Sequence, residues 1–226
     1  MIARFVGSGP GEQAPDGCSV ELYRRLPYLG ELTDVRPHLV AGTALLELGC
    51  GTGRLTALLL AWGLRVTCVD NCDGMLALAP TEARHVLSDI EDLSLREHFD
   101  VALLASCLIN HPTPQVRRAL LAGARRHLRT DGRLFVQRQD PQWLQSAVPG
   151  PVGQTGEVLL FLESVARIEQ VVEMTLRYES SGQTWRHSFS ASPLTESDVE
   201  EALATEGFHS PSWLGRHGSW VMAVAG

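Results

Sequence analysis

The stretch Leu45-Leu46-Glu47-Leu48-Gly49-Cys50-Gly51-Thr52-Gly53-Arg54, followed by Asp70 at the end of the next apolar run, decides how this chain is read. An apolar strand closes on an acid, a glycine-rich turn opens into a helix, and a carboxylate stands at the tip of a second strand. Glycine lets a backbone turn sharply and approach a ligand closely. A carboxylate about 20 residues beyond such a turn can hold a ribose diol, which is the logic of nucleoside binding in doubly wound folds. A dinucleotide fingerprint reads Gly-x-Gly-x-x-Gly, whereas Gly49, Gly51 and Gly53 read Gly-x-Gly-x-Gly behind Glu47. An acid there receives a pyrophosphate badly. It favours a ligand carrying an ammonium or sulfonium group, because opposite charges at contact attract by about 4 kcal/mol at an effective dielectric of about 20.

Outward from this stretch, strand and helix alternate. Residues 43–48 read as a buried strand, 53–62 as a helix and 64–69 as a second strand, a strand-helix-strand unit whose crossover is right-handed. A short helix over 73–78 stops at Pro80, and strands follow at 85–87 and 99–104. A helix over 114–128 opens on Pro114, and Asp131-Gly132 turns the chain into a fifth strand, 133–139. Such alternation implies a parallel sheet. The pattern then changes: residues 158–168, 171–179 and 183–191 carry β-branched and aromatic residues with polar alternation, an antiparallel meander inserted as a flap spanning 157–191. Thr195-Glu196-Ser197-Asp198 has the form of a capping box for a helix ending before Gly207, and a hairpin over 210–214 and 219–225 turns at Gly215–Gly218. Residues 18–26 and 31–40 read as short helices of an amino-terminal cap (1–40), while 1–17 show no period and should be loosely ordered unless a ligand organises them. All of this fits one domain over 1–226.

From residues 44 to 139 the ordered set of motifs resembles the class I S-adenosylmethionine-dependent methyltransferases of the small-molecule type. The resemblance implies a doubly wound, Rossmann-like α/β fold with a seven-stranded sheet whose last strand is antiparallel, here with an antiparallel flap after strand five. It implies S-adenosylmethionine as cofactor and adenosylhomocysteine as product. Gly49, Cys50, Gly51 and Gly53 would carry the methionine portion on bare backbone, with Glu47 behind them orienting the loop or receiving the α-amino group through water. Asp70 would accept both ribose hydroxyls, with Asn71 beside it. Met75 would lie against the adenine face, Asp89 would accept from the adenine amino group and Ile90 would offer its amide. Ser106, Cys107 and Leu108 would stand near the sulfonium methyl and the acceptor, and Tyr23 with Arg24, Arg25 and Tyr28 would fold over the cofactor. Blander roles stay open: Glu47 satisfying turn amides, Met75 in plain core, Asp89 as a solvated turn acid, and Arg24 and Arg25 as solvated surface cations.

Methyl transfer is an in-line displacement on an activated carbon, so positioning does most of the work and a base is needed only for a protonated acceptor. His111, in Ile109-Asn110-His111-Pro112, is the candidate catalytic base; the alternative is a hydrogen-bonded loop histidine. Arg138, Gln139, Trp143, Trp185, His187 and Phe189 follow strand five or lie on the flap, where a small acceptor can be enclosed.

Composition sets the outer limits. With 226 residues, 44% of them hydrophobic, the chain can bury a substantial core. A formal net charge of −7 argues against nucleic acid as a partner. There is no lysine, so all 19 Lys+Arg residues are arginine, which removes P-loop lysine, Schiff-base and pyridoxal-phosphate chemistry. Five cysteines, Cys18, Cys50, Cys68, Cys72 and Cys107, lack paired Cys-x-x-Cys spacing, so no zinc site or disulfide framework is expected and the compartment reads as cytoplasmic. The longest nearly uncharged apolar stretch, 55–64, is far short of the roughly 20 residues that span a bilayer. The expected partners are a small-molecule methyl acceptor, with no membrane or metal, and with a homodimer left open. The function read here is methyl transfer from S-adenosylmethionine to an O or N atom of a small organic metabolite, plausible in specialised metabolism. Its rivals are a catalytically silent binding module and, less favoured by the glycine spacing, an NAD-dependent oxidoreductase.

Overall fold

Five strands of the central sheet are parallel because each is fed by a connection that crosses its face. In the structure, a computed structural model describing residues 4–215 and 218–226, β2 (Ala44–Leu48) pairs in parallel with β3 (Arg65–Asp70) and β5 (Phe99–Leu104). In turn β3 pairs with β4 (Arg84–Leu87), and β5 with β6 (Leu128–Gln137). The sheet closes antiparallel through β12 (Trp220–Ala225) and β11 (Phe208–Leu214), giving the order β11-β12-β6-β5-β2-β3-β4. This is the expected seven-stranded sheet. Its strand order reverses between β2 and β5, and ligands of open α/β sheets bind outside the carboxyl ends at that reversal.

Both faces of the sheet are covered. α2 (Arg54–Ala61) and the 3-10 turn Arg36–His38 belong to one face, over a core containing Leu45, Leu59, Val66, Leu103 and Phe135. α4 (Pro114–His127) and α6 (Glu196–Thr205) cover the other, over Leu46, Leu48, Leu104, Leu121 and Val136. The capping box at the start of α6 is formed: Thr195 accepts from the Asp198 amide, and Asp198 accepts from the Thr195 amide at 2.8 Å. A short fourth helix, α3 (Asp73–Leu76), follows β3.

The second sheet is larger than the meander predicts. β8 (Val158–Ile168), β9 (Val171–Ser180) and β10 (Gln183–Ala191) form its centre, and two further strands flank them: β7 (Gly150–Thr155) on β8 and β1 (Phe5–Ser8) on β10. The expected looseness of 1–17 is therefore corrected for residues 5–8, which pair from Phe5↔Phe189 to Ser8↔Arg186; residues 1–3 lie outside the described residues. That partner is almost the whole chain away, so no local period betrays the strand. The two amino-terminal helices also shrink, to α1 (Val20–Tyr23) and the turn Arg36–His38, the second of which contains Pro37. Asp131-Gly132 is not a turn between elements: β6 runs through it with Asp131 at φ 62° and a register shift against β5. Of the hairpin turn expected over 215–218, residues 216 and 217 lie outside the described residues. One further helix, α5 (Pro141–Ser146), packs Leu144 against the flap residues Leu162, Val172 and Met174.

Candidate active site

The glycine loop is shaped by β3 rather than by a free nest of amides. The amides of Gly49 and Cys50 both donate to the Val69 carbonyl at 2.9 Å, that of Gly51 to Asp70 Oδ2 at 2.8 Å and that of Gly53 to the Cys50 carbonyl at 3.1 Å. A pyrophosphate needs such amides turned outward; here they are spent inside the fold, and the oxidoreductase reading loses its phosphate site. Gly49 holds φ 74°, where a Cβ would also meet Leu108 Cδ1 at 2.8 Å. Gly53, at φ 76°, is glycine for a different reason than expected, because a Cβ would strike Pro80 Cδ at 2.4 Å in the packing of the loop on α3.

Asp70 sits at the end of β3 with both oxygens oriented by backbone. Gly51 donates to Oδ2, and Cys72 to Oδ1 at 3.0 Å. Burial raises its carboxyl above the usual range, and the amides of Gly51 and Cys72 oppose that by holding the ionised form. Each oxygen keeps a lone pair for a further donor. Just past the end of β3, Asn71 Nδ2 donates to Asp89 Oδ1 beyond β4 at 2.7 Å, tying the two strand ends together.

These groups surround a cavity of about 410 Å³ that opens at the carboxyl rim of β2 and β3. Of the expected cofactor residues, Tyr23, Gly49, Gly51, Asp70, Asn71, Met75, Asp89, Ile90 and Ser106 line it, and so does His111. Glu47, Cys50 and Gly53 do not. Glu47 is 1% exposed behind the loop, where Thr56 Oγ1 donates to its Oε2 at 2.6 Å, and burial pushes its carboxyl up to about 7. It is a structural acid joining β2 to α2, not a wall of the cavity. Cys50 is buried in the core beside Cys68. Arg24 and Arg25 are likewise absent from the walls: Arg25 pairs with Glu21 and lies over Trp185 with 5.5 Å to the ring centre, and Tyr28 Oη accepts from the Leu32 amide.

A second cavity of about 480 Å³ adjoins the first and lies between the two sheets. Gln139, His187 and Phe189 line it as expected, whereas Trp185 is buried against Leu22, Val158 and Tyr178, and Trp143 packs beside Leu144. Arg138, 4% exposed, donates to the Leu194 carbonyl and lies over the Trp213 ring at 4.5 Å. Leu108 lines both cavities as expected, and the residues the sequence reading missed are Phe5, Asp16 and Cys18, which line both cavities, and Tyr178, which lines the second. Only the unseen β1–β10 pairing brings Phe5 and Asp16 there.

The loop after β5 closes the junction. Ser106 and Cys107 both adopt left-handed backbone, φ 55° and 56°, a conformation non-glycine residues rarely take in succession. Gln137 Oε1 holds the Ser106 amide at 2.8 Å. Asn110, 3% exposed, accepts from the Gln139 amide and donates to the Ser192 carbonyl, each at 2.8 Å, so one side chain joins this loop to β6 and to the end of the flap. His111 stacks on Phe5, centres 5.1 Å apart and 14° between planes. Its Nδ1 accepts from the Thr113 amide at 3.1 Å, and burial, aided by the Arg117 guanidinium, lowers its pKa below the usual histidine value. The neutral ring therefore carries its proton on Nε2. That arrangement suits a hydrogen-bond donor; the base expected at this position needs a free ring nitrogen, and neither is free.

Residues 45–132 match the family described as "Methyltransferase domain". Over these residues the chain is similar to methyltransferases. It is 32% identical over 112 residues to the cypemycin N-terminal methyltransferase of a Streptomyces species, a match covering 47% of this chain and 46% of that protein, so the chain spans about half the length of that relative. The CcbJ methyltransferase of Streptomyces caelestis shares the fold at a TM-score of 0.71, with 18% identity over 91% of this chain and 94% of that one. CalS10 of Micromonospora echinaspora, an amino pentose methyltransferase solved with S-adenosylmethionine bound, shares it at 0.66, with 20% identity over 82% and 84%. The family match thus ends within β6, and the flap lies beyond it.

The walls of the first cavity fit the cofactor this domain implies. Asp16, Asp70, Asp89 and Glu91 line it, and among the described residues no arginine does. A cationic sulfonium is stabilised by that field, whereas a phosphorylated nucleoside is repelled. Among the described residues no cluster of His, Cys, Asp or Glu is placed to hold a metal, and no helix is long and apolar enough to cross a membrane.

Proposed function

We propose that this protein transfers a methyl group from S-adenosylmethionine to an oxygen or nitrogen of a small organic metabolite. The observation that carries the proposal is the continuity of an acidic, arginine-free cavity at the sheet rim with a second, largely apolar cavity beneath the flap. A volume of about 480 Å³ is that of a small-molecule pocket. Two of the similar proteins are named for nitrogen-bearing acceptors, one as the cypemycin N-terminal methyltransferase and one as an amino pentose methyltransferase.

Within this reading each wall has a task. Asp70 accepts the ribose hydroxyls with the lone pairs its amide partners leave. Asp89 accepts from the adenine amino group, while Ile90, whose amide makes no hydrogen bond to the described residues, donates to a ring nitrogen. Met75 and Leu108 pack against the base, and Tyr23 closes the end of the cavity near the glycine loop. When bound, S-adenosylmethionine supplies an electrophilic methyl group on a positively charged sulfur. The chain's own contribution is to hold the acceptor in line with that carbon, through His111 Nε2–H and the fixed turn at Ser106, and to keep water out beneath the flap.

The test is binding followed by turnover. Adenosylhomocysteine should raise the melting temperature, and NAD should leave it unchanged, because a ligand that prefers the folded state adds to stability. Radiolabelled S-adenosylmethionine should then pass its methyl to a small acceptor. Stabilisation by NAD instead overturns the cofactor assignment. Binding of adenosylhomocysteine with no transfer to any small acceptor reduces the protein to a silent binding module.

A further inference from the structure

The seven residues that line both cavities mark the neck through which the methyl passes, and only one of them carries a formal charge. Burial, with nearby Asp16, keeps the Cys18 thiol protonated, and Cys18 and burial do the same for the Tyr23 hydroxyl. The thiol donates to Tyr23 Oη at 3.1 Å, and His111 is held neutral. Asp16 remains. Its Oδ1 accepts from the Cys18 amide at 2.9 Å, a short turn that fixes the carboxylate and leaves Oδ2 for another donor. His187 on β10 donates from Nε2 to the Asp16 carbonyl at 3.0 Å, so the flap itself holds this residue in place. No ion pair among the described residues includes Asp16.

Resting on the proposed methyl transfer, we infer that Asp16 determines the acceptor atom, selecting an amine nitrogen over a hydroxyl oxygen. When the free base of an amine attacks, its lone pair forms the N–C bond and the C–S bond breaks with its electrons left on sulfur. Positive charge leaves the sulfur and appears on nitrogen as an ammonium, which afterwards gives a proton to water. Asp16 borders the acceptor cavity as well as the cofactor's, so its carboxylate stays beside the charge as it passes from sulfur to nitrogen, and the forming ammonium is not left unpaired. A hydroxyl must instead lose its proton as it attacks, and His111 offers no lone pair to take it, since Nδ1 accepts from the Thr113 amide and Nε2 carries the proton of the neutral ring. The alkoxide character that develops on oxygen is repelled by the same carboxylate.

Asp16→Asn is the informative change, because the amide oxygen can still accept from Cys18 and the turn persists. Two probes are used: sinefungin, which bears a primary amine on the carbon that replaces sulfur, and matched acceptors such as phenethylamine and phenethyl alcohol with radiolabelled cofactor. The expected result is that Asn weakens sinefungin and lowers kcat/KM for the amine by about 10- to 100-fold, the range for losing a charged hydrogen-bond partner. Adenosylhomocysteine affinity should stay within about threefold, and Asp16→Glu should recover part of the amine activity. Equal transfer to amine and alcohol, no transfer to amines, or an Asn variant that binds sinefungin as the parent does overturns the role of Asp16. Loss of adenosylhomocysteine binding by the parent protein overturns the methyl-transfer reading instead.

Discussion

The two halves of this site are built in opposite ways. The cofactor half is made from contiguous chain: Gly49, Gly51, Asp70 and Asp89 stand at the ends of three neighbouring parallel strands, and their mutual bonds span short sequence separations such as 19 residues from Gly51 to Asp70. The acceptor half is made from distant chain: Phe5 and Asp16 from the amino-terminal arm, His111 from the loop after β5, and His187 and Phe189 from the flap, joined by bonds spanning 171 residues. A local turn can be shaped by its own residues, whereas the second half exists only when the whole chain is folded. Binding of the nucleoside and transfer of the methyl should accordingly respond to different substitutions.

The largest separation should come from Asp70→Ala. Two hydrogen bonds to a charged acceptor are lost, each worth about 1.5–3 kcal/mol, and the amides of Gly51 and Cys72 lose their partners. Adenosylhomocysteine affinity measured by calorimetry should fall by at least about 100-fold. An unchanged Kd would remove the ribose assignment and with it the distinction between the halves.

Glu47→Gln tests the opposite expectation, that an acid of the same motif lies outside the cavity. The wild-type carboxyl, at about 7 in the fold against an ordinary 4.5, binds its proton more tightly folded than unfolded. Wild-type stability should therefore fall as pH rises from about 4.5 to about 7, by roughly 3 kcal/mol in all, and stay level above that. The Gln variant should lack this slope in urea unfolding while binding adenosylhomocysteine within about twofold of the parent. Weakened binding would return Glu47 to the cofactor site.

How far the sequence was readable follows the same division. The antiparallel close followed from the family resemblance and the strand order came only with the structure, whereas the parallel core was legible because apolar runs and glycine turns are local signals, as the Thr195 capping box is. Asp70 and the glycine loop were legible for that reason too, though Gly53 proved to be shaped by Pro80 and Glu47 by Thr56, contacts that a motif does not display. The strand Phe5–Ser8 was not legible: a four-residue strand with glycine in it acquires its conformation from β10, and nothing within it announces the pairing. Asn110, which holds β6 and the flap at once, looked like an ordinary loop residue for the same cause.

His111 divides base from donor. With Nδ1 engaged by Thr113, the ring serves by donating from Nε2, so His111→Gln, which keeps a donor at similar reach, should retain transfer within about threefold, and His111→Ala should lose about tenfold, the worth of one neutral hydrogen bond. Because no proton is taken up by the ring, the pH dependence of kcat between 6 and 8 should be the same for parent and Gln variant. A rising limb present only in the parent would restore the base.

Phe5→Ala should give the smallest effect and draw the boundary most finely. The phenyl ring lines both cavities and stacks on His111, so its removal widens the neck without touching Asp70, Asp89 or the glycine loop. Stacked aromatic pairs contribute about 0.5–1.5 kcal/mol beyond simple burial, so the KM of an acceptor should rise by about three- to tenfold. The measured kcat should change little, because the turn at Ser106 and the Nε2–H donor stay in place. Adenosylhomocysteine Kd should remain within about twofold, since Phe5 offers the nucleoside an edge and not a bond. Should Kd rise as much as KM, the arm would be as much a part of the nucleoside site as Asp70 is. The line between a locally built half and a globally built one would then run through β1 and not through the neck.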